Sequence, residues 1–148
     1  MKENEITQSV IDAAIAVYRH LGPGLLESSY KECLYSELIH NDIQVLKEVG
    51  LPLIYRDVHL DCGYRIDLWV EHKVIVEIKS VESLNDVHLA QVLTYLKLSD
   101  CRVGLLMNFN VTQLIKGIRR VVNNFKELEN ITAENAEINR RERWENRR

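Results

Sequence analysis

Cys62-Gly-Tyr-Arg-Ile-Asp-Leu-Trp-Val-Glu-His-Lys-Val-Ile-Val-Glu-Ile-Lys-Ser80 contains two segments, 64–70 and 74–80, in which Val, Ile, Trp and Tyr alternate with polar residues. A period of two is the mark of half-buried β-strands. Their register follows from the length of the loop between them. A loop of Glu71 and His72 alone would set Ile66 opposite Glu77 and Val70 opposite Lys73, mixing charge into an apolar face. A three-residue loop, Glu71-His72-Lys73, instead pairs Val70 with Val74, Leu68 with Val76 and Ile66 with Ile78. That face is wholly apolar. A slip of one residue would turn every side chain to the other side of the sheet, so the three-residue loop is expected.

The same register decides the opposite face. Asp67 comes opposite Glu77, Arg65 opposite Lys79 and Trp69 opposite Ile75. Like charges facing each other across a sheet are destabilising. A divalent cation between the acids and an anion near the bases would relieve both repulsions. The competing arrangement neutralises the face in water through diagonal Asp67–Lys79 and Arg65–Glu77 contacts.

The rest of the chain sets the frame. Its 148 residues are a single-domain length, enough to bury roughly 68–70% of the unfolded surface. With 46% hydrophobic and 28% charged residues it has the composition of an ordinary globular protein. No apolar run reaches membrane-spanning length, and the opening Met-Lys-Glu-Asn-Glu is not a secretory leader, so a cytoplasmic protein is expected. Cys33, Cys62 and Cys101 are odd in number and lack metal-ligand spacing, and are expected to pack as small hydrophobes. The net charge of −3 argues against a protein that coats nucleic acid electrostatically. Asn139–Arg148 carries five Arg against two Glu. Such a tail either touches phosphates or is simply solvated.

In chain order, Ile6, Val10, Ala13, Ala14, Val17, Tyr18 and Leu21 form a helical stripe ended by Gly22-Pro23-Gly24. A second helix is expected from about Leu25 to His40, with Leu26, Tyr30, Cys33, Leu34 and Leu38 inward. Glu27 and Tyr30 share one side of its first turns. Glu27 there is either an acid favouring the positive helix end, worth about 0.3–1 kcal/mol, or a carboxylate aimed at the sheet. Residues 43–55 read as a strand bent at Gly50 and Pro52, with an edge position expected. Arg56-Asp57 is the turn. A helix capped by Ser83 or Asn85 runs to about Leu98, with Leu89, Val92, Leu93 and Leu96 inward and His88, Gln91 and Tyr95 on the other side. This helix is expected to cover the apolar face of Ile66, Leu68, Val70, Val74, Val76 and Ile78. Residues 101–109 form a strand parallel to 74–80. Residues 111–125 fit either a helix or a short strand over 117–122. Beyond Asn123 a frayed helix or disorder is expected.

Asp67, followed ten residues later by Glu77-Ile78-Lys79, resembles the D…(D/E)-x-K signature of the PD-(D/E)XK nuclease superfamily, here without the proline. The approach Gly63-Tyr-Arg-Ile-Asp67 and the helical pair Gln91-x-x-x-Tyr95 resemble its RecB-like branch. Gly24-Leu-Leu-Glu27-Ser-Ser-Tyr30 is similar to the pattern that names the GxxExxY family of the same superfamily. These motifs span residues 24–95, and the order of elements fits to about residue 122. The resemblance implies an α/β (α+β) restriction-endonuclease-like core, a mixed central sheet of about four or five strands flanked by helices, within one domain over 1–125 followed by a charged tail over 126–148. It favours the strand reading of 117–122.

The implied activity is metal-dependent phosphodiester hydrolysis in nucleic acid. Asp67 and Glu77 would bind Mg²⁺ or Mn²⁺, with the carbonyl of Ile78 as a further oxygen and Glu27 as an outer-shell or second-ion ligand. Lys79 would act on the attacking water and the phosphate. Arg65, Gln91, Tyr95 and Tyr30 would border the substrate. Two other readings compete: a catalytically silent module that binds nucleic acid or a protein, and an oligomer-forming structural protein. A homo-oligomer is compatible with all three.

Overall fold

Helix α1 (Glu3–Leu21) buries Ile6, Val10, Ala13, Ala14 and Val17, positions three or four apart on one helix face. Gly22 ends it at φ 68°, donating its N–H to the Tyr18 carbonyl at 2.7 Å. Helix α2 (Glu27–His40) buries Tyr30, Leu34 and Leu38, a narrower stripe than expected. Leu26 lies at the N-cap and is 75% exposed, and Cys33, off the stripe, is exposed too. Cys62 is likewise exposed, so of the three thiols only Cys101 packs as a core residue. The structure is a computed structural model and describes residues 1–124, so the expected tail over 126–148 lies outside the described residues.

Five strands follow: β1 (Val45–Tyr55), β2 (Val58–Val70), β3 (Val74–Lys79), β4 (Val103–Asn108) and β5 (Ile118–Val122). They form one mixed sheet in the order β1-β2-β3-β4-β5, antiparallel except for the parallel β3–β4 pair. Helix α3 (Asp86–Ser99) makes the parallel crossover. The expected edge position of β1, the Arg56-Asp57 turn and the irregularity around Pro52 are all present, the register shifting between Leu51 and Leu53. Residues 118–122 are the strand, preceded by a 3-10 turn (Leu114–Gly117).

Two cores sandwich the sheet. Helices α1 and α2 cover Leu68, Val70, Val74, Val76 and Ile78 of β2 and β3 and Leu105 and Met107 of β4. Helix α3 covers Ile75, Leu106 and Cys101 on the reverse side. This corrects the expectation that α3 packs on the Val76 face: the polarity pattern separates the two faces of a strand but does not say which helix covers each. Residue 104 is glycine because α3 sits very close there, where a Cβ would meet Val92 at 2.8 Å. The inner stripe of α3 is Val92, Tyr95 and Leu96, with Leu89 only partly buried against it. Its N-cap is Asn85, which accepts from the His88 N–H at 3.0 Å while His88 Nδ1 accepts from the Asn85 N–H, giving His88 a structural role.

Candidate active site

The β2–β3 hairpin has the three-residue loop, with Val70↔Val74, Trp69↔Ile75 and Leu68↔Val76 paired. There the ladder stops. Instead of continuing to Ile66–Ile78, the two acids turn into the gap between the strands. Asp67 Oδ2 accepts the Ile78 N–H at 2.8 Å, and Glu77 Oε1 accepts the Asp67 N–H at 3.0 Å. Each carboxylate takes the place of a ladder carbonyl. Ile66 consequently joins the α3 core rather than the face it was expected to share with Leu68. Glu48 takes a φ of 54° between the pairs Lys47↔Leu68 and Val49↔Ile66, so both strands deviate at one level.

Arg65 does not come opposite Lys79. Its partner is Gly50 in β1, and its guanidinium lies over that glycine, where a Cβ would meet Nη1 at 3.3 Å. Neither diagonal pair, Asp67–Lys79 or Arg65–Glu77, is formed among the described residues. The neutralised-face arrangement is therefore absent. What remains is a pair of interacting carboxyls, with Glu77 only 4% exposed. Burial pushes both above the usual carboxylate range; for Glu77, burial and then the neighbouring Asp67 charge raise it to about 8. Two such groups cannot both ionise cheaply without a cation.

Lys79 is half-buried at the end of β3, paired with Asn108 of β4, and its carbonyl accepts the Phe109 N–H at 3.0 Å. Asn108 is 1% exposed. It accepts the Val81 N–H at 3.1 Å and donates to the Val81 carbonyl at 2.9 Å, so it fixes the chain just after Lys79. The sequence offers no periodic signal for this role, which depends on β3 and β4 being neighbours.

The stretch from Gly24 to Tyr30 forms the opposite wall. Tyr30 is fully buried and stacked on Phe109 at 4.4 Å; its hydroxyl donates to the Gly22 carbonyl at 2.6 Å and accepts the Leu25 N–H at 3.1 Å. This corrects its expected place at the substrate: Tyr30 is a clamp on the loop before α2. Ser80 Oγ donates to the Leu25 carbonyl at 2.7 Å, and the Ser80 N–H donates to Glu27 Oε1 at 3.3 Å. Glu27, Lys31, Ser80 and Asp67 line one cavity of about 530 Å³. Lys31 and Ser80 were not singled out from the sequence, although the four-residue spacing of Glu27 and Lys31 puts them on one side of α2.

On the α3 side, Gln91 Nε2 donates to the Tyr95 hydroxyl at 3.3 Å, and Tyr95 meets Tyr64 edge-on at 6.2 Å. Tyr95 was expected on the polar face of α3, yet it is 5% exposed. Burial first, and then the charges of Glu77 and Asp67, push its hydroxyl above its ordinary value.

Asp67 and Glu77 suit a hard divalent ion, since Mg²⁺ keeps several waters and takes only one or two protein carboxylates. Among the described residues no group of three or more His, Cys, Asp or Glu side chains converges on one point, so Glu27 stands apart from that pair and bonds to Ser80. No helix among the described residues is long and apolar enough to cross a membrane.

A family model of the PD-(D/E)XK nuclease superfamily matches residues 4–121, reaching from α1 into β5. The chain belongs to that superfamily, and its mixed five-stranded sheet between helices is a restriction-endonuclease-like fold. Membership suggests a nuclease-like function on nucleic acid, and proteins of this superfamily generally use divalent metal ions. No curated protein and no solved structure matches the chain significantly.

Proposed function

We propose that this protein is a metal-dependent nuclease of the GxxExxY branch that hydrolyses phosphodiester bonds in nucleic acid. The observation that carries the reading is the Asp67–Glu77 pair, two carboxyls held together by each other's strand with no basic partner in contact among the described residues. Asp67 and Glu77 would hold Mg²⁺ or Mn²⁺, with the Ile78 carbonyl alongside and Glu27 outside them. Bound there, the ion supplies Lewis-acid charge for the phosphate and a water of lowered pKa.

The chain's own groups do the rest. Lys79, two residues along the strand from Glu77, donates to the attacking water and to a non-bridging phosphate oxygen. Asn108 keeps the backbone around Lys79 from shifting, and the Tyr30 clamp keeps Glu27 at Ser80. Gln91 and Tyr95 border the reacting phosphate from α3, and Arg65 meets the nucleic acid further along β2. Tyr30 ties down the loop at Gly22 and Leu25 while Glu27 bonds to Ser80, which supports the branch assignment. We place the catalytic unit in one domain over 1–125, with 126–148 as a charged tail. Three free thiols suit a reducing cytoplasm.

Single-turnover cleavage of labelled single-stranded DNA, duplex DNA and RNA in Mn²⁺ tests the reading. Wild type should cut at least one substrate, while Lys79→Ala and Glu77→Ala should not, and Lys79→Ala should keep its fold and its Mn²⁺ binding. Wild type and Lys79→Ala cutting alike would remove Lys79 from the mechanism. A wild type that binds metal and nucleic acid but cuts nothing is the silent binding module.

A further inference from the structure

Helix α2 is tied to β1 by two ion pairs, and they are not equivalent. Lys47–Glu32, at 2.8 Å, is an open surface contact with side chains 39% and 51% exposed. Lys31–Glu48, at 2.6 Å, holds a lysine side chain only 14% exposed, lining the same cavity as Asp67, Glu27 and Ser80. Glu48 reaches it from a backbone φ of 54°, a region disfavoured for a residue with a Cβ, whereas Lys47 makes its pair from ordinary strand backbone. A mere tether between α2 and β1 needs no such bend.

We propose that Lys31 is a phosphate-binding residue of the site, held by Glu48 in the free protein and transferred to the nucleic-acid backbone when substrate enters. This rests on the reading that the site takes nucleic acid. The charges around the cavity support the exchange. Asp67, Glu77 and Glu27 oppose Lys79, so a bound divalent ion brings the group only to neutrality, and freeing a further cation beside it adds attraction for an incoming phosphodiester. Lys31 is that cation. Its amine sits one helical turn from Glu27, at the end of a side chain that packs along the cavity wall. Glu48, 55% exposed, loses little when released to solvent.

Fluorescence anisotropy with labelled single-stranded DNA, duplex DNA and RNA, in Ca²⁺ to read binding rather than turnover, tests this over a range of salt. Lys31→Gln should weaken binding and lower the salt slope by about one, as expected for loss of one phosphate contact. Lys31→Arg should restore the slope. Glu48→Gln should tighten binding by freeing the amine, while Lys47→Gln leaves the slope unchanged. An unaltered slope in Lys31→Gln, or Glu48→Gln weakening binding as Lys31→Gln does, makes the pair a structural tether and overturns the proposal. Wild type that binds none of the three probes overturns the nucleic-acid reading itself, and Lys31 with it.

Discussion

The two halves of the β2–β3 hairpin have the same alternating sequence and opposite structures. Next to the loop, Leu68 to Val70 pair with Val74 to Val76 in a regular ladder whose inward residues are fully buried. One residue further on, the ladder opens and the carboxylates of Asp67 and Glu77 accept the N–H groups that strand carbonyls would have taken. Alternation specifies which face a side chain takes only while the backbones stay paired. Where a side chain can replace the backbone acceptor, the strands separate and a polar site opens inside the sheet at the cost of ladder bonds.

The largest effect should come from the closed half. Val76→Asp puts an unpaired charge among Leu68, Val74 and Leu105 and should unfold the domain, a loss of more than about 4 kcal/mol. A normal melt followed by circular dichroism would mean that the buried face is misassigned. In the open half the effect depends on pH. The folded protein holds a proton on Glu77 up to about pH 8, whereas the unfolded chain releases it near 4.5. This stabilisation is complete below the unfolded value and is lost as pH rises toward the folded one, so metal-free stability should fall between about pH 5 and 8 by on the order of a few kcal/mol. Glu77→Gln should flatten that slope in denaturant titrations. Mn²⁺ competes with the same proton, so it should raise the melting temperature of wild type more at pH 8 than at pH 6, and that of Asp67→Asn hardly at all. An equal Mn²⁺ shift in both proteins would place the ion elsewhere.

A smaller change sharpens the comparison from the outside. Tyr30→Phe leaves the Gly22 carbonyl and the Leu25 N–H without their partner and should cost about 1–3 kcal/mol. It should also speed hydrogen exchange at the Ser80 amide, since Glu27 and Leu25 shift together; unchanged exchange would separate the clamp from the site. Arg65→Ala, exposed beyond the open half, should change stability by no more than about 0.5 kcal/mol.

The sequence by itself determined the first four strands, the three-residue loop, the two faces near it, the helix stop at Gly22, and the acids that meet at Asp67 and Glu77. Each is a local matter, set by period, turn chemistry or short-range register. Which helix covers which face, the opening of the ladder at Asp67, the burial of Tyr30 and Tyr95, the meeting of Lys31 and Ser80 with Asp67, and the hold of Asn108 on Val81 were decided only by the tertiary structure. Those depend on contacts between residues far apart in the chain: Glu27 and Ser80, Tyr30 and Phe109, Val81 and Asn108. Periodicity carries the direction of a side chain but not the identity of what packs against it, and a carboxylate that replaces a backbone acceptor leaves no periodic trace.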